Sequence, residues 1–331
     1  MDYQKLLKNK LDRRRLLGGI GVVGAGAVLA ACDNNTPVVD PPPVVDPPVT
    51  PPEEPNLDAA ILNFALNLEY LEAAFYLAAV GRLSELQGIG GDADIILPEG
   101  FDGSTSIAFD SDDIASYADE IASDELAHVN FLRAAIGDVL GAPVADRPVL
   151  DLGSAFAAAA AAAFDLDEEA AAGFDPFASE LLFLHGAFIF EDVGVTAYNG
   201  AAPYVTDKPV VLQNAGGILA VEAYHAGQIR TLLYNRREVE TPFGVPVADV
   251  VAGISALRAS VGGGKDEGVV NEDGSANINP TDENSVAFAR TPREVANIVF
   301  LGPDTAMGGF YPEGLNFPEE LAEDLGTLLG L

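Results

Sequence analysis

Four residue types are nearly missing from this chain of 331 residues, which has one cysteine, two methionines, three histidines and no tryptophan. A lone cysteine excludes an intramolecular disulfide. Basic residues are scarce too, 17 against 51 acidic, for a formal charge of -34. Residues 1–31 hold six of the basic residues and two of the acidic ones, which leaves 11 against 49 in the rest. Such a surface repels nucleic acid and anionic lipid and attracts cations, metal ions included; solubility or adaptation to salt accounts for it equally well. No phosphate loop, dinucleotide fingerprint or nucleophile triad occurs. Hydrophobic content is 49%, so the chain can build a sizeable core in one large or two small domains.

The scarcity of histidine gives weight to where it stands. Two of the three close the same motif, Glu125-Leu126-Ala127-His128 and Glu222-Ala223-Tyr224-His225. Residues three apart on a helix share a face, so each motif presents a carboxylate beside an imidazole. Both lie in apolar helical runs. One Glu from each of two further helices completes the ligands of a carboxylate-bridged dimetal site in a four-helix bundle. Glu69 and Glu191 are the candidates, because each falls in the apolar stripe of its helix, where a carboxylate without a partner is costly. Glu72 competes with Glu69 but reads as a solvated charge or a neighbour of the ligands. His185 precedes Glu191 by six residues, about 120° round the helix, and is assigned to an outer or surface position.

Taken in order, the chain opens with a basic segment, Arg13-Arg14-Arg15 and a Gly/Ala/Val/Leu stretch to Ala31. This resembles a twin-arginine signal peptide, and Leu29-Ala30-Ala31-Cys32 resembles a bacterial lipobox, which implies lipidation at Cys32. Residues 32–56 are proline-rich and read as an extended stalk. Helices are expected from about 60 to 79, capped by Asn56 or Asp58; from 111 to 140, capped by Ser111; and from Pro176 to Tyr198. A fourth runs from Asp207 or Asn214 to Leu233. Residues 81–110 read as an insertion loop and the alanine-rich 151–172 as a helical crossover. Beyond 236, helices are expected at 244–261, 292–299 and 318–329, with loop between. The organisation is thus a signal at 1–31, a linker at 32–56, a bundle at 57–236 and a C-terminal extension at 237–331 packed on it.

Asn67-Leu68-Glu69 with Tyr76, the two Glu-x-x-His motifs and Glu191 resemble the ferritin-like superfamily. The stretch from Asn63 to Tyr76, with Val221-Glu222-Ala223-Tyr224-His225 and the segment after Gly308, is similar to bacterial ferritin-like domain proteins related to plant desiccation-related proteins. The resemblance implies an all-α fold, a ferritin-like four-helix bundle with extra C-terminal helices and loops. It implies two divalent ions, iron or manganese, with Glu125 and Glu222 bridging or chelating, Glu69 and Glu191 terminal, and one imidazole on each metal. Tyr76 matches a tyrosine that lies near the diiron site in ferritins. Tyr76 and Glu72 are placed beside the ligands. The long loop and the extension argue against cage assembly, hence against iron storage.

The function expected is an exported, membrane-anchored dimetal protein of the periplasm or envelope. Its reaction would be of ferroxidase or peroxide-consuming type, tied to oxidative or desiccation stress, with a small oxidant or a metal ion as partner. The alternative is a non-catalytic envelope protein whose metals only brace the bundle.

Overall fold

The computed structural model describes residues 56–330, apart from 165, 168–170 and 172. The signal, Cys32 and nearly all of the proline-rich linker lie outside the described residues. Among the described residues eight α-helices carry the fold: α1 (Asp58–Ala79), α2 (Asp112–Ala134), α3 (Ser154–Phe164), α4 (Glu180–Ala201), α5 (Gln213–Asn235), α6 (Val247–Val261), α7 (Pro292–Val299) and α8 (Ala322–Leu329). The bundle is two tight pairs, α1 with α2 and α4 with α5, joined by the crossover that carries α3.

The two pairs share one division of labour. In α1 every residue but Ala59 is buried, and α4 is buried from Leu182 to Gly194 without a break. A helix apolar on all sides belongs inside. By length and mean hydropathy, 1.3, α4 matches a membrane span, yet the fold covers it almost completely. The partners α2 and α5 are amphipathic, with exposed outer faces. A single stripe was expected on α1 and α4. Their other faces are covered by segments that the periodicity of one helix cannot reveal.

Those covers are held by polar side chains of α1 and α4. Asn63 receives Ala145 N–H at 2.7 Å and donates to Pro143 O at 3.0 Å. One turn on, Asn67 accepts from Asn316 N at 2.9 Å and donates to its carbonyl at 2.9 Å, while Tyr311 donates to Asn67 O at 2.8 Å. Each asparagine thus completes the backbone bonding of a crossing loop segment, which satisfies groups that burial would otherwise leave costly. On α4, Asp192 accepts from both Arg230 and Arg258 at 2.8 Å, and Asp266 joins Arg258 to Arg290. This buried network docks the extension. At Gly200 a β-carbon would stand 1.7 Å from Arg290 O, so the close approach of that segment requires glycine.

Local signals set most helix ends. Ser111 caps α2, accepting from Ile114 N at 3.4 Å, and Ser179 caps α4, accepting from Leu182 N at 3.3 Å. So α4 starts at Glu180, and Pro176 belongs to the preceding turn. The N-cap position of α1 is Leu57; Asn56, one residue earlier, does satisfy the first helical N–H, accepting from Asp58 N at 3.1 Å, whereas Asp58 is the first helical residue and not its cap. The Asp58 carboxylate instead accepts from Thr206 and Asp207 N–H groups at 2.7 and 2.9 Å. Asp207 caps a π-turn at Lys208–Leu212, from which α5 continues. Another π-turn, Ala135–Val139, ends α2. The crossover helix is shorter than expected, Ser154–Phe164. The 81–110 loop also contributes a short parallel strand, Ile95–Ile96 against Leu150–Asp151, that nothing in the pattern announces.

Candidate metal centre

All six proposed ligands meet in the middle of the bundle, and all are buried. Glu69 comes from α1, Glu125 and His128 from α2, Glu191 from α4, and Glu222 and His225 from α5. Their donor atoms form two groups. Glu69, Glu125, His128 and Glu222 make one, and Glu125, Glu191 and His225 the other, with the atoms of each group within 4.8 Å of one another. His128 Nδ1 lies 3.1 Å from Glu69 Oε2, 3.4 Å from Glu125 Oε2 and 3.6 Å from Glu222 Oε1. His225 Nδ1 lies 3.0 Å from Glu125 Oε1 and 3.5 Å from Glu191 Oε2. Glu125 therefore turns one oxygen to each group, as a bridging carboxylate does. Glu222 stands with His128 rather than with the histidine of its own motif.

The orientation of these atoms fits metal better than hydrogen bonding. Both oxygens of Glu125, both of Glu222, Glu191 Oε2 and His225 Nδ1 are buried without a hydrogen-bond partner among the described residues. Buried polar atoms are seldom left so. They approach one another, even to 3.0 Å, without aligning donor to acceptor. Atoms that converge on shared space in this way suit a cation bound at about 2 Å from each. Carboxylate with imidazole, and no thiolate, is a mixed oxygen and nitrogen donor set suited to divalent metal ions.

Electrostatics carries the same message. Burial, followed by the charge of Glu125, pushes Glu69 up to about 7. Burial and the neighbouring carboxylates hold Glu72 and Glu222 well above the usual range. Burial also opposes charge on the imidazoles, but Glu125 and Glu69 outweigh it and lift His128 to about 10. Glu191 and Glu125 lift His225 to about 12. Glu125, against its own burial, is drawn down to about 2 by the two imidazoles. Without metal, the cluster balances its carboxylates with protons, and divalent cations would displace them.

The residues around the ligands divide into those legible from the sequence and those not. Tyr76 donates to Glu191 Oε1. Its counterpart Tyr198 donates to Glu69 Oε1 and was not anticipated, although the signal was present: Glu69 to Tyr76 and Glu191 to Tyr198 have the same spacing, seven residues. Asp124 was also missed; its Oδ2 lies 3.2 Å from His225 Nε2. That leaves His225 Nδ1 facing the carboxylates and Nε2–H directed at Asp124, the partner that fixes a ligand histidine. No spacing rule links residues of different helices, so only the fold reveals this pair.

Of the two readings of Glu72, solvated charge and neighbour of the ligands, the structure favours the second: it is 5% exposed and feels the charges of Glu125, Glu69 and Glu191. One expectation changes. His185 is fully buried rather than at the surface; its Nδ1 lies 2.7 Å from Leu181 O, and its ring packs edge-on to Phe174, apart from both ligand groups.

Comparison with known proteins agrees with this geometry. The model of the ferritin-like domain family matches residues 57–235, from the residue before α1 to the end of α5. The chain is 38% identical over 255 residues to a desiccation-related protein of Craterostigma plantagineum, covering 72% of this chain and 76% of that one. It is 28% identical over 276 residues to a ferritin-like catalase of Nesocodon mauritianus, covering 78% and 83%. No solved structure matches the chain.

Proposed function

The chain belongs to the ferritin-like domain family, and from that premise we propose that it is a dimetal oxidoreductase that consumes peroxide, with two iron or manganese ions as its cofactor. The observation that carries the reading is Glu125, which gives one oxygen to each of two donor groups, each with its own imidazole. The catalase among its relatives favours peroxide as the oxidant. The pair of ions would supply reversible one-electron steps on each metal, so that one peroxide is reduced to water and another oxidised to dioxygen.

The chain's own residues set the conditions for that chemistry. Glu69 and His128 would hold one ion, Glu191 and His225 the other, and Glu125 would span both. Tyr76 and Tyr198 orient the terminal carboxylates. Burial keeps bulk water from the ligands, which strengthens every interaction with the ions. A site this enclosed admits only small reactants. Export to the envelope on a lipidated Cys32, and a role in oxidative or desiccation stress, complete the proposal. They rest on the twin-arginine and lipobox pattern and on the desiccation-related relative.

The test is elemental analysis of the full chain from its native host, followed by peroxide consumption. Two ions per chain with dioxygen release are expected, and Glu191→Ala should reduce the content to one ion. Two tightly bound ions with no turnover would favour the non-catalytic reading, in which the metals only brace the bundle. Unchanged two-ion content in Glu191→Ala would sink the ligand assignment.

A further inference from the structure

The C-terminal extension does not close completely on the bundle. Beside α4 and α5 its loop of residues 262–290 is pinned at several points. Arg230 Nη2, on α5, donates to Gly268 O and to Asn277 O, both at 2.7 Å. Asn199, on α4, donates to Ala287 O at 2.9 Å and to Phe288 O at 3.1 Å. Asn277 is tied in turn to Glu267 Oε2 at 2.7 Å. Between these pins a cavity remains, with Ala223, Ala226 and Gly227 of α5 on one side. Glycine is a poor helix former, and a β-carbon at Gly227 would meet nothing within 4 Å. The helix surface there is left open rather than packed.

The cavity measures about 110 Å³. An apolar cavity of about 150 Å³ takes up benzene, so this one has room for about five or six non-hydrogen atoms. Val195, Ile278, Pro280 and Phe288 give it an apolar wall. The charged residues of the wall balance, Arg230, Lys265 and Arg290 against Asp192, Asp266 and Glu267. The three carboxylates already have arginine or asparagine partners. One group is left over. Arg230 is fully buried, and its Nη atoms are spent on Asp192 and on backbone carbonyls. Its Nε is the one polar side-chain atom of the wall that is buried without a hydrogen-bond partner among the described residues. A buried donor without an acceptor is costly.

We propose that this cavity binds a small neutral carbonyl compound, whose oxygen accepts from Arg230 Nε and whose short apolar body lies against α5, Ile278, Pro280 and Phe288. A neutral molecule leaves the balance of the wall undisturbed. A carboxylate or an ammonium group would bring in a charge with no counter-ion to meet it. The formal charge of -34 on the whole chain opposes an anion further. Ala223 and Asn279, on the rim, are exposed, so the cavity is reached from solvent. None of its lining residues is a metal ligand, although Ala223 and Ala226 each follow one, Glu222 and His225. Binding here does not depend on the redox reading.

Three probes of one shape test it on the full chain as isolated: isobutyramide, isobutyrate and isobutylammonium. The first is a neutral acceptor, the second an anionic acceptor and the third a cation with no acceptor. Titration should show isobutyramide binding with a Kd of about millimolar, and the two ions at least about tenfold more weakly. Crystals soaked in isobutyramide should place its carbonyl oxygen about 3 Å from Arg230 Nε. Gly227→Leu, which puts a side chain into the open space, should weaken binding about tenfold or more with an unfolding midpoint no lower than wild type. Arg230→Lys, which removes the Nε donor, should do the same to binding. Equal or tighter binding of isobutyrate would overturn the neutral assignment, and equal binding of isobutylammonium would overturn the acceptor. Ordered water alone in the soaked cavity would overturn the site, as would undiminished binding in Gly227→Leu. Should Arg230→Lys fail to fold, a carbonyl oxygen turned away from Arg230 in the wild-type crystals would overturn the recognition by itself.

Discussion

Tyr76, on the first bundle helix, donates its hydroxyl to Glu191 on the third, while Tyr198 on the third donates to Glu69 on the first. The tyrosine of each half thus holds the terminal carboxylate of the other. Both phenols are kept neutral, first by burial and then by the adjoining carboxylates, Glu191 for Tyr76 and Glu69 for Tyr198. A neutral phenol remains a donor, so the crossed pairs hold each carboxylate by its Oε1 and leave its Oε2 beside the imidazole of its donor group.

The crossing makes the effect of each tyrosine specific to one ion. Tyr76→Phe should loosen the ion at Glu191 and His225, and Tyr198→Phe the ion at Glu69 and His128. Partners of this kind typically account for roughly 10–100-fold in metal affinity. Calorimetric titration of the metal-free chain should resolve two binding events, one weakened in each variant. Equal weakening of both events by one variant would contradict the crossed arrangement.

Asp124 introduces a second asymmetry. It lies one residue before Glu125 and faces His225 Nε2 at 3.2 Å. The matching residue before Glu222 is Val221, which has no acceptor to offer His128. The imidazole of His225 is therefore oriented and made more basic, and that of His128 is not. Asp124→Ala should weaken the ion at His225 by about tenfold or more and leave the other unchanged, whereas Val221→Asp should strengthen the ion at His128. Metal competition against a chelator of known affinity would show both shifts.

Loading the site should release protons. At neutral pH the metal-free cluster holds protons on His128 and His225, raised to about 10 and about 12, and partly on Glu69, raised to about 7. Coordinated groups must give these up. At least about two protons per chain should appear on binding two ions at pH 7, measurable as the dependence of calorimetric heat on the buffer's ionisation enthalpy. Affinity should fall as the pH is lowered from 8 to 6. A heat independent of buffer would rule out displacement of protons by metal.

How much of this was legible in the sequence depends on whether the signal is local. Glu125, His128, Glu222 and His225 declare themselves by spacing within one helix, and Ser111 by its place before an apolar run. Glu69 and Glu191 needed only the stripe of their own helices. Asp124, paired with a residue 101 positions away, follows no rule of spacing. The docking of Asn316 on Asn67 is equally silent, and it is such segments that turn a one-sided stripe into a helix buried on all sides. Glu72 shows the same effect: its neighbours along α1 suggested solvent, and the fold placed α4 and the extension over it. Tyr198 is different, because its spacing from Glu191 repeats that of Tyr76 from Glu69 and could have been read.

His185 serves the fold rather than the metals, and its setting predicts how stability responds to acid. It is buried between α4 and its cover, with Nδ1 2.7 Å from Leu181 O. Burial lowers it to about 4, and the Leu181 and Val247 carbonyls only partly oppose this. A histidine lowered in the folded state must stay neutral there, while in the unfolded chain it takes up a proton near 6.5. Its contribution is therefore complete above about 6.5 and is lost as the pH falls through 4, by about 3 kcal/mol over that window. His185→Asn cannot titrate and should remove this dependence. Denaturant unfolding of both proteins at pH 7 and pH 4.5 would give the difference, in which the carboxylates common to the two cancel. A gap between wild type and variant that narrows toward acid is expected. A gap independent of pH would mean that His185 ionises as readily in the fold as outside it.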